Sequence, residues 1–229
     1  MTASSNDDPF RAKRRRVLAA LSVGALAVGS AGLYAAHLAK HAREKMPIVA
    51  QGAINLQLPS FQLHDQNGAA FSDQSLQGHA WVANFIFTSC TQTCPRLTAR
   101  MKDVQRTLAA DAGAGRFVKS VSFTVDPEND TPEVLKIYAA KSDADSTRWF
   151  FVTGDVDAVK KTITSGFKMT AERVKKGANE YDILHGNWFV YGDKVGNVRG
   201  YAQVEKEQEA IDLAHELAAL ERGDVTASR

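Results

Sequence analysis

Cys90 and Cys94 are the only cysteines among the 229 residues, and both lie in the stretch FIFTSCTQTCPRL. Their C-x-x-x-C spacing allows three kinds of chemistry: a structural disulfide, a reversible dithiol couple, or a site for a soft metal such as copper. A disulfide that closes so short a ring constrains the unfolded chain little, so a purely structural bridge is the weakest interpretation. The spacing alone does not decide between dithiol chemistry and metal binding.

The elements around the cysteines must position them. WVANFIFT, residues 81–88, is a nearly continuous apolar run that is typical of a strand buried on both faces. Pro95 suits the first position of a helix, which makes Cys94 the predicted N-cap of a helix that continues to about Gly113. The positive end of that helix should lower the pKa of the capping thiol. Both sulfurs are therefore expected at the C-terminal end of a central strand, where open α/β sheets place ligands.

The rest of the chain alternates strand and helix patterns, which predicts an α/β fold with a mixed central sheet and helices on both faces. Two short strands before residue 81 are joined by a predicted turn at Asn67 and Gly68. Residues 168–186 are polar and irregular, and they read as an excursion from the sheet. Further strands are predicted at 116–126, 149–154, 187–192 and 198–204, and further helices at 131–141, with Thr131 as N-cap, 155–167 and 207–220.

The N-terminal sequence predicts a transmembrane helix. Residues 17–39 contain no Asp, Glu, Lys or Arg, and as a helix they would span about 34 Å, enough to cross a hydrocarbon core of about 30 Å. Five cations precede this segment, so residues 1–16 are expected to stay in the cytoplasm while the chain after Lys40 is exported. A cleaved signal peptide is the alternative, but its apolar region usually has about 7–15 residues. We therefore predict an uncleaved single-pass anchor.

These features predict a domain order and a compartment. A cytoplasmic tail (1–16), a transmembrane anchor (17–39) and a juxtamembrane linker (40–53) precede one exported domain (54–222) and a C-terminal tail (223–229). In a bacterium this places the domain in the periplasm and the anchor in the lipid of the inner membrane, and export permits disulfides. The net charge is only +2, with scattered Lys and Arg, which argues against binding of nucleic acid.

His185 is the histidine best placed to act with the cysteines. It lies in YDILHGNWFV, in a loop that leads into a strand, beside Gly186, and such a loop can reach the cysteines. A loop histidine is often simply exposed, so composition alone does not assign it as a ligand. The other histidines have simpler explanations at the membrane interface, in solvent near strand edges or on the last helix: His37, His41, His64, His79 and His215.

The acidic residues of DPENDTP, which are Asp126, Glu128 and Asp130, could form a site for a hard metal. A strand-end loop explains them better, with Asp130 or Thr131 capping the helix that follows. The stretch also lacks the glycine-containing pattern of a calcium loop.

The segments FIFTSCTQTCP, VSFTVDPENDTPEVLKIYA, WFFVTG and ILHG, in this order, resemble the Sco/SenC family, the copper proteins of cytochrome oxidase assembly. The resemblance covers about residues 58–201, and the combination of motifs is specific although each motif alone is weak. It implies a thioredoxin-like fold for residues 54–222 and one copper ion per chain, bound by Cys90, Cys94 and His185. Sulfur ligands select Cu(I), and the added imidazole lets the site hold Cu(II) as well. Asp126 is implied as a supporting residue near the copper or at the partner interface.

The resemblance also implies delivery of copper to the CuA centre of cytochrome c oxidase subunit II, with a periplasmic copper donor upstream. The chain would then be a metallochaperone and not an enzyme. A thiol-disulfide reductase that keeps the CuA-site cysteines reduced is the alternative, and a peroxidase of the peroxiredoxin type is a third hypothesis.

Two departures bear on these alternatives. No proline follows Glu133, so the chain lacks the late cis-proline with which thioredoxins hold peptide substrates, and this favours copper binding over general disulfide exchange. Leu184 precedes His185 where an acidic neighbour could have oriented the imidazole, so another group must orient it.

Overall fold

The computed structural model describes residues 48–49, 56–169, 172–175, 181–184 and 188–224. Within these residues, no helix has the length and apolar character needed to cross a membrane. The predicted cytoplasmic tail (1–16), the predicted anchor (17–39) and His185 lie outside the described residues.

The described elements alternate as the sequence predicts. The strands are β1 (Ile48–Val49), β2 (Leu56–Gln57), β3 (Gln62–Asp65), β4 (Ala70–Ser72), β5 (Trp81–Ile86), β6 (Lys119–Thr124), β7 (Trp149–Thr153), β8 (Glu172–Lys175), β9 (Tyr181–Leu184), β10 (Trp188–Gly192) and β11 (Asn197–Gln203). The helices are α1 (Thr93–Ala110), α2 (Pro132–Lys141), α3 (Val156–Lys161) and α4 (Glu207–Arg222).

A mixed sheet forms the centre of the described domain. Strands β5, β6 and β7 are parallel neighbours, and all six residues of β5 are buried, as the apolar run predicts. Antiparallel strands extend the sheet on both sides, in the order β1-β11-β10-β5-β6-β7-β3-β4, with β2 paired to β11. The C-terminal ends of the three parallel strands therefore lie side by side, in the middle of the strand order.

Helices cover both faces of this sheet, as predicted. Val82 and Ile86 of β5 face a core that α1, α2 and α4 contribute to, whereas Trp81 and Phe85 face a second core that includes residues of α3. Alternation along the strand produces this division, because successive side chains point to opposite faces.

One polar chain crosses the buried centre of the sheet. The Ser122 hydroxyl donates to Asn84 Oδ1 at 2.7 Å, and the Trp149 indole N–H donates to that hydroxyl at 2.9 Å. Asn84 and Ser122 are register partners in β5 and β6. Because buried polar groups need such partners, these two hydrogen bonds favour the observed pairing of β5 with β6 over any shifted register.

Other local predictions are confirmed. The turn at Asn67 and Gly68 joins β3 to β4, with Gly68 at φ +77°, where a residue without Cβ is favoured. Thr131 caps α2, because its hydroxyl accepts the Val134 N–H at 3.4 Å.

The predicted start of the cysteine helix is wrong. Helix α1 begins at Thr93 with Gln92 as its N-cap, so Cys94 lies within the first turn and Pro95 is its third residue. Proline is tolerated there because the N–H groups of a first turn have no partner inside the helix. The helix ends at Ala110, before the predicted end near Gly113, because Asp111 is extended.

Two regions that were predicted to lack regular structure contain strands. Strands β8 and β9 form a separate antiparallel pair within the predicted excursion, and β1 lies within the predicted linker and pairs with β11. Neither strand pair is visible as a pattern in the sequence, because β1 has two residues and the excursion is mostly polar.

Glu221 fixes the end of β5 that lies opposite the cysteines. This side chain of α4 is only 6% exposed, and its carboxylate accepts the Ala80 N–H at 2.5 Å, directly before β5 begins. His79 Nδ1 lies 3.4 Å and Lys194 Nζ 3.6 Å from the other carboxylate oxygen. The last helix is thereby bonded to the start of the central strand.

We expect Glu221→Ala to lower the free energy of unfolding by about 1–3 kcal/mol, because the buried Ala80 N–H loses its acceptor. Glu221→Gln keeps an acceptor oxygen and should lose less. Urea unfolding of the full chain, followed by tryptophan fluorescence, measures both. An equal loss in the two variants would contradict this account and assign the effect to the lost charge.

Candidate metal centre

The cysteine site lies at the edge of the sheet where β5 and β6 end. The loop that follows β5 carries Cys90, and α1, which begins immediately after this loop, carries Cys94. The Cys90 N–H donates to the Phe87 carbonyl at 3.2 Å, so the loop opens with a tight turn. The predicted position at the C-terminal end of a central strand is confirmed.

Cys94 is fully buried, with 0% exposure, in the core beneath α1. Its sulfur accepts the Phe87 N–H at 3.5 Å. Burial raises the pKa of this thiol strongly, the Phe87 N–H opposes the rise, and the Cys90 thiol and the Asp130 charge add to it. Cys94 is therefore held in its neutral thiol form in the metal-free protein.

Cys90 is half-buried, and its sulfur accepts the Cys94 N–H at 3.3 Å. Burial alone would raise its pKa, but hydrogen bonds from the N–H groups of Cys94, Gln92 and Thr93 and from the Cys94 thiol together lower it. The expectation that the helix start activates Cys94 is thus wrong. The N–H groups of the first turn stabilise the thiolate of Cys90 instead.

The two sulfurs form an unequal pair. The Cys94 thiol hydrogen-bonds to the Cys90 sulfur, so both donors are adjacent and can bind one ion. The more exposed Cys90 is suited to attack or to meet an incoming ligand, and the buried Cys94 is suited to resolve a disulfide or to complete a metal site. The geometry fits both soft-metal binding and dithiol chemistry.

Asp126 lies in the neighbouring loop after β6 and is 5% exposed. Its carboxylate accepts the Asn129 side-chain N–H at 2.8 Å, and its own N–H donates to the Thr124 hydroxyl at 3.0 Å. Among the described residues, no group of three or more His, Cys, Asp or Glu could hold a metal ion. The strand-end loop that the sequence favoured for Asp126, Glu128 and Asp130 is confirmed, because all three lie between β6 and α2.

Asp130 is the residue of this loop that reaches the cysteine segment, and sequence reasoning missed this role. Thr131 caps α2, so the Asp130 carboxylate is not used as a cap and bonds to Thr88 and Thr124. Burial raises the pKa of Asp130, hydrogen bonds from both threonines lower it, and the charge of Asp126 raises it. A sequence signal for this role does exist. Thr88 follows β5 closely, Thr124 ends the neighbouring β6, and Asp130 comes soon after as a possible acceptor for both hydroxyls.

Tyr138 of α2 was also missed. Its hydroxyl lies 2.9 Å from the Thr98 hydroxyl of α1. Burial raises the pKa of Tyr138, the hydrogen bond with Thr98 opposes the rise, and the nearby charges of Cys90 and Asp130 add to it. The phenol therefore lies on the same side of the sheet as the thiols and joins α2 to the cysteine helix.

His185 falls between two described strands, β9 and β10. Strand β10 runs antiparallel to β5, with Val190 opposite Ala83 and Gly192 opposite Trp81. The first residue of β10, Trp188, therefore lies toward the end of β5 that carries the cysteine loop. The ligand role of His185, which is three residues earlier in the sequence, stays a prediction.

Comparisons with known proteins identify close likenesses. A family model described as SCO1/SenC matches residues 51–220. The SCO1 protein homolog of Bacillus subtilis is 36% identical over 154 residues, which are 66% of this chain and 77% of that protein.

Solved structures give the same result for the fold. Copper-bound ScoI of Bradyrhizobium japonicum is 26% identical with a TM-score of 0.60, over 70% of this chain and 99% of that one. BsSco, a member of the Sco family of cytochrome c oxidase assembly proteins in which a disulfide switch was identified, is 31% identical with a TM-score of 0.62, over 75% and 98% of the two chains. These likenesses confirm the thioredoxin-like fold that the sequence resemblance implies.

The unequal thiols predict unequal alkylation. In the reduced, metal-free full chain, iodoacetamide should modify Cys90 first, and the rate at Cys90 should rise at a lower pH than for an ordinary cysteine, because its pKa is lowered. Cys94 should react only at higher pH or after unfolding. Peptide mass spectrometry between pH 6 and 9 measures both rates, with Cys90→Ser and Cys94→Ser as controls. Equal rates, or faster reaction of Cys94, would contradict the assignment.

Proposed function

This chain belongs to the SCO1/SenC family, and from that premise we propose that it is a membrane-anchored copper chaperone. It binds one copper ion through Cys90, Cys94 and His185 and delivers it to the CuA centre of cytochrome c oxidase subunit II. Copper is its cargo, received from a periplasmic donor, and no small substrate is turned over.

The unequal, adjacent thiols at the open edge of the sheet carry the proposal. Two sulfurs that share a hydrogen bond can bind one soft ion without a large rearrangement, and thiolates select Cu(I). Binding requires that Cys94 lose its proton, so uptake of copper releases protons. The copper-bound relative from Bradyrhizobium japonicum supports copper as the cargo.

The direction of β10 supports His185 as the third ligand. Strand β10 begins toward the cysteine end of β5, and His185 is three residues before its first residue in the sequence. An imidazole is a suitable third donor for copper beside two thiolates. Asp126, which lies in the adjacent loop, is proposed to support the site or to meet the partner.

Transfer is proposed to occur by ligand exchange. Incoming cysteines of the acceptor would displace His185 first and then the half-exposed Cys90, and the buried Cys94 would release the ion last. The order of the two thiolates follows from exposure, since Cys94 is 0% exposed whereas Cys90 is half-buried.

The proposed location is the bacterial inner membrane, with one spanning helix at residues 17–39 and the domain in the periplasm. The charge-free run and the five cations before it support this orientation. In this arrangement the cysteine site faces the compartment in which the CuA domain of the oxidase is exposed.

A thiol-disulfide reductase is the second candidate function. The lowered pKa of Cys90 beside a buried resolving thiol favours it, because disulfide exchange needs an attacking thiolate and a partner. Its substrate would be the oxidised cysteine pair of the CuA site: each turnover would reduce that disulfide to two thiols and convert Cys90 and Cys94 to a disulfide.

Copper titration tests the chaperone. In anaerobic competition with a Cu(I) chelator, the reduced full chain should bind one equivalent. Cys90→Ser and Cys94→Ser should each abolish tight binding, and His185→Ala should weaken it by about 10-fold or more, as loss of a metal-site group commonly does. Unchanged binding in His185→Ala would remove this residue from the site, and wild-type binding no tighter than in the cysteine variants would overturn the chaperone.

The same variants separate the two functions. A reductase needs both cysteines but no imidazole, so His185→Ala should still reduce an oxidised CuA domain as the wild type does. A chaperone needs all three groups to load that domain with copper. Reduction and copper loading of a purified CuA domain can be followed in parallel, by thiol counting and by the absorption of the dinuclear centre. Copper loading that survives His185→Ala would contradict the three-ligand proposal.

A further inference from the structure

We propose that Asp130 is the positioning residue of the cysteine site. Its carboxylate holds the loop that carries Cys90 against the end of β6, and this keeps the two sulfurs at the separation at which one ion can bind both. The inference rests on the proposed copper-binding function and extends it to a residue that contacts no metal.

The Asp130 carboxylate is almost completely enclosed by donors. It is 1% exposed. One oxygen accepts the Thr88 hydroxyl at 2.5 Å, the other accepts the Thr124 hydroxyl at 2.5 Å, and the Thr88 N–H lies 3.3 and 3.1 Å from the two oxygens. Hydrogen bonds to a buried charged group are stronger than those between neutral groups.

These bonds join two segments that are distant in the sequence. Thr88 is separated from Asp130 by 42 positions and lies two residues before Cys90, whereas Thr124 is the last residue of β6. Asp130 itself directly precedes Thr131, the N-cap of α2. One carboxylate therefore ties the cysteine loop to the end of a strand and to the start of a helix.

Thr88 is the point at which this restraint acts on both sulfurs. It lies inside the turn that the Cys90 N–H closes on the Phe87 carbonyl. The N–H of Phe87 bonds to the Cys94 sulfur, and the N–H of Thr88, the next residue, bonds to Asp130. Two consecutive backbone N–H groups thus bond to the buried Cys94 sulfur and to the Asp130 carboxylate. A shift of Thr88 would therefore move Cys90 relative to Cys94.

A carboxylate is required here because two separate oxygens must accept. Asparagine has the same shape but only one acceptor oxygen, so it cannot serve Thr88 and Thr124 together. Positioning by groups that do not touch the metal commonly contributes 10–100-fold to metal affinity. The loss of one acceptor should therefore be measurable at the site.

Glu221 offers a matched control. It is also a buried carboxylate that accepts a backbone N–H next to β5, but at the opposite end of the strand, away from the cysteines. If copper affinity followed general stability, it would fall in each variant in proportion to the loss that urea unfolding shows for that variant, in Glu221→Gln as in Asp130→Asn. A loss of positioning should appear only in Asp130→Asn.

The experiment uses the full chain as wild type, Asp130→Asn, Thr88→Val, Thr88→Ser and Glu221→Gln. Cu(I) affinity is measured by anaerobic chelator competition, the reduction potential of the Cys90–Cys94 couple by equilibration with glutathione, and stability by urea unfolding. Asp130→Asn and Thr88→Val should bind Cu(I) about 10-fold more weakly or worse. Thr88→Ser restores the hydroxyl and should recover the affinity, and Glu221→Gln should bind as the wild type does.

The potential is a readout that stability alone does not move. A loosened loop lowers the effective concentration of one thiol at the other, so the disulfide is less favoured and the potential becomes less negative. A tenfold change in that equilibrium corresponds to about 30 mV. We expect this shift in Asp130→Asn and Thr88→Val, and no shift in Glu221→Gln.

The outcomes separate this inference from the proposed function. Wild-type affinity and potential in Asp130→Asn, or equal losses in Glu221→Gln, would overturn the positioning role while copper binding stands. If the wild type binds no copper, the proposed function fails, and the potentials alone decide whether Asp130 positions the thiols. If Asp130→Asn does not fold, the difference between Thr88→Val and Thr88→Ser decides, and equal behaviour of these two overturns the inference.

Discussion

The parallel pairing of β5 with β6 is the constraint on which the site depends. Ile86 opposite Thr124 is the last register pair, and the Val125 N–H donates to the Ile86 carbonyl at 2.8 Å just beyond it. The loops that follow the two strands therefore start side by side. A slip by one residue would turn every side chain of β5 to the other face, and it would separate Asn84 from Ser122 in the buried core.

Different backbone N–H donors and different degrees of burial give the two cysteines opposite character. Cys90, in the loop before α1, remains partly open to solvent, whereas Cys94, in the first turn of α1, is inside the core. For Cys90 the hydrogen bonds outweigh burial, and for Cys94 burial outweighs the Phe87 N–H. One thiolate is thus available while its partner is protected, which suits the proposed binding and release of an ion.

Two buried carboxylates hold the ends of the central strand in different ways. Glu221 bonds to the N–H that precedes β5, and Asp130 bonds to the N–H of Thr88 just after its end. The first joins the strand to the last helix, and the second joins the cysteine loop to β6 and α2. The two carboxylates therefore act at opposite ends of β5, and only Asp130 contacts the loop that carries Cys90.

The sequence by itself determined those features that depend on only a few neighbouring residues. The apolar run fixed β5, Asn67 and Gly68 fixed the turn between β3 and β4, and Thr131 before Pro132 fixed the start of α2. The place of both cysteines at the end of a central strand followed from the same local signals, because hydrophobic periodicity and caps act within a few residues. The membrane anchor and the role of His185 stand as predictions from the sequence.

Only the tertiary structure decided which cysteine has the lowered pKa and which acidic residue bonds to the cysteine loop. A pKa depends on the total burial of a group and on all nearby donors, so Cys90 and Cys94 could not be distinguished by their spacing. The partner of Asp130 is 42 positions away, and no periodic pattern marks a contact between two loops. Strands β1, β8 and β9 were missed for a related reason. Hydrogen bonds to a partner strand define them, and their own short or polar sequences carry no strand pattern.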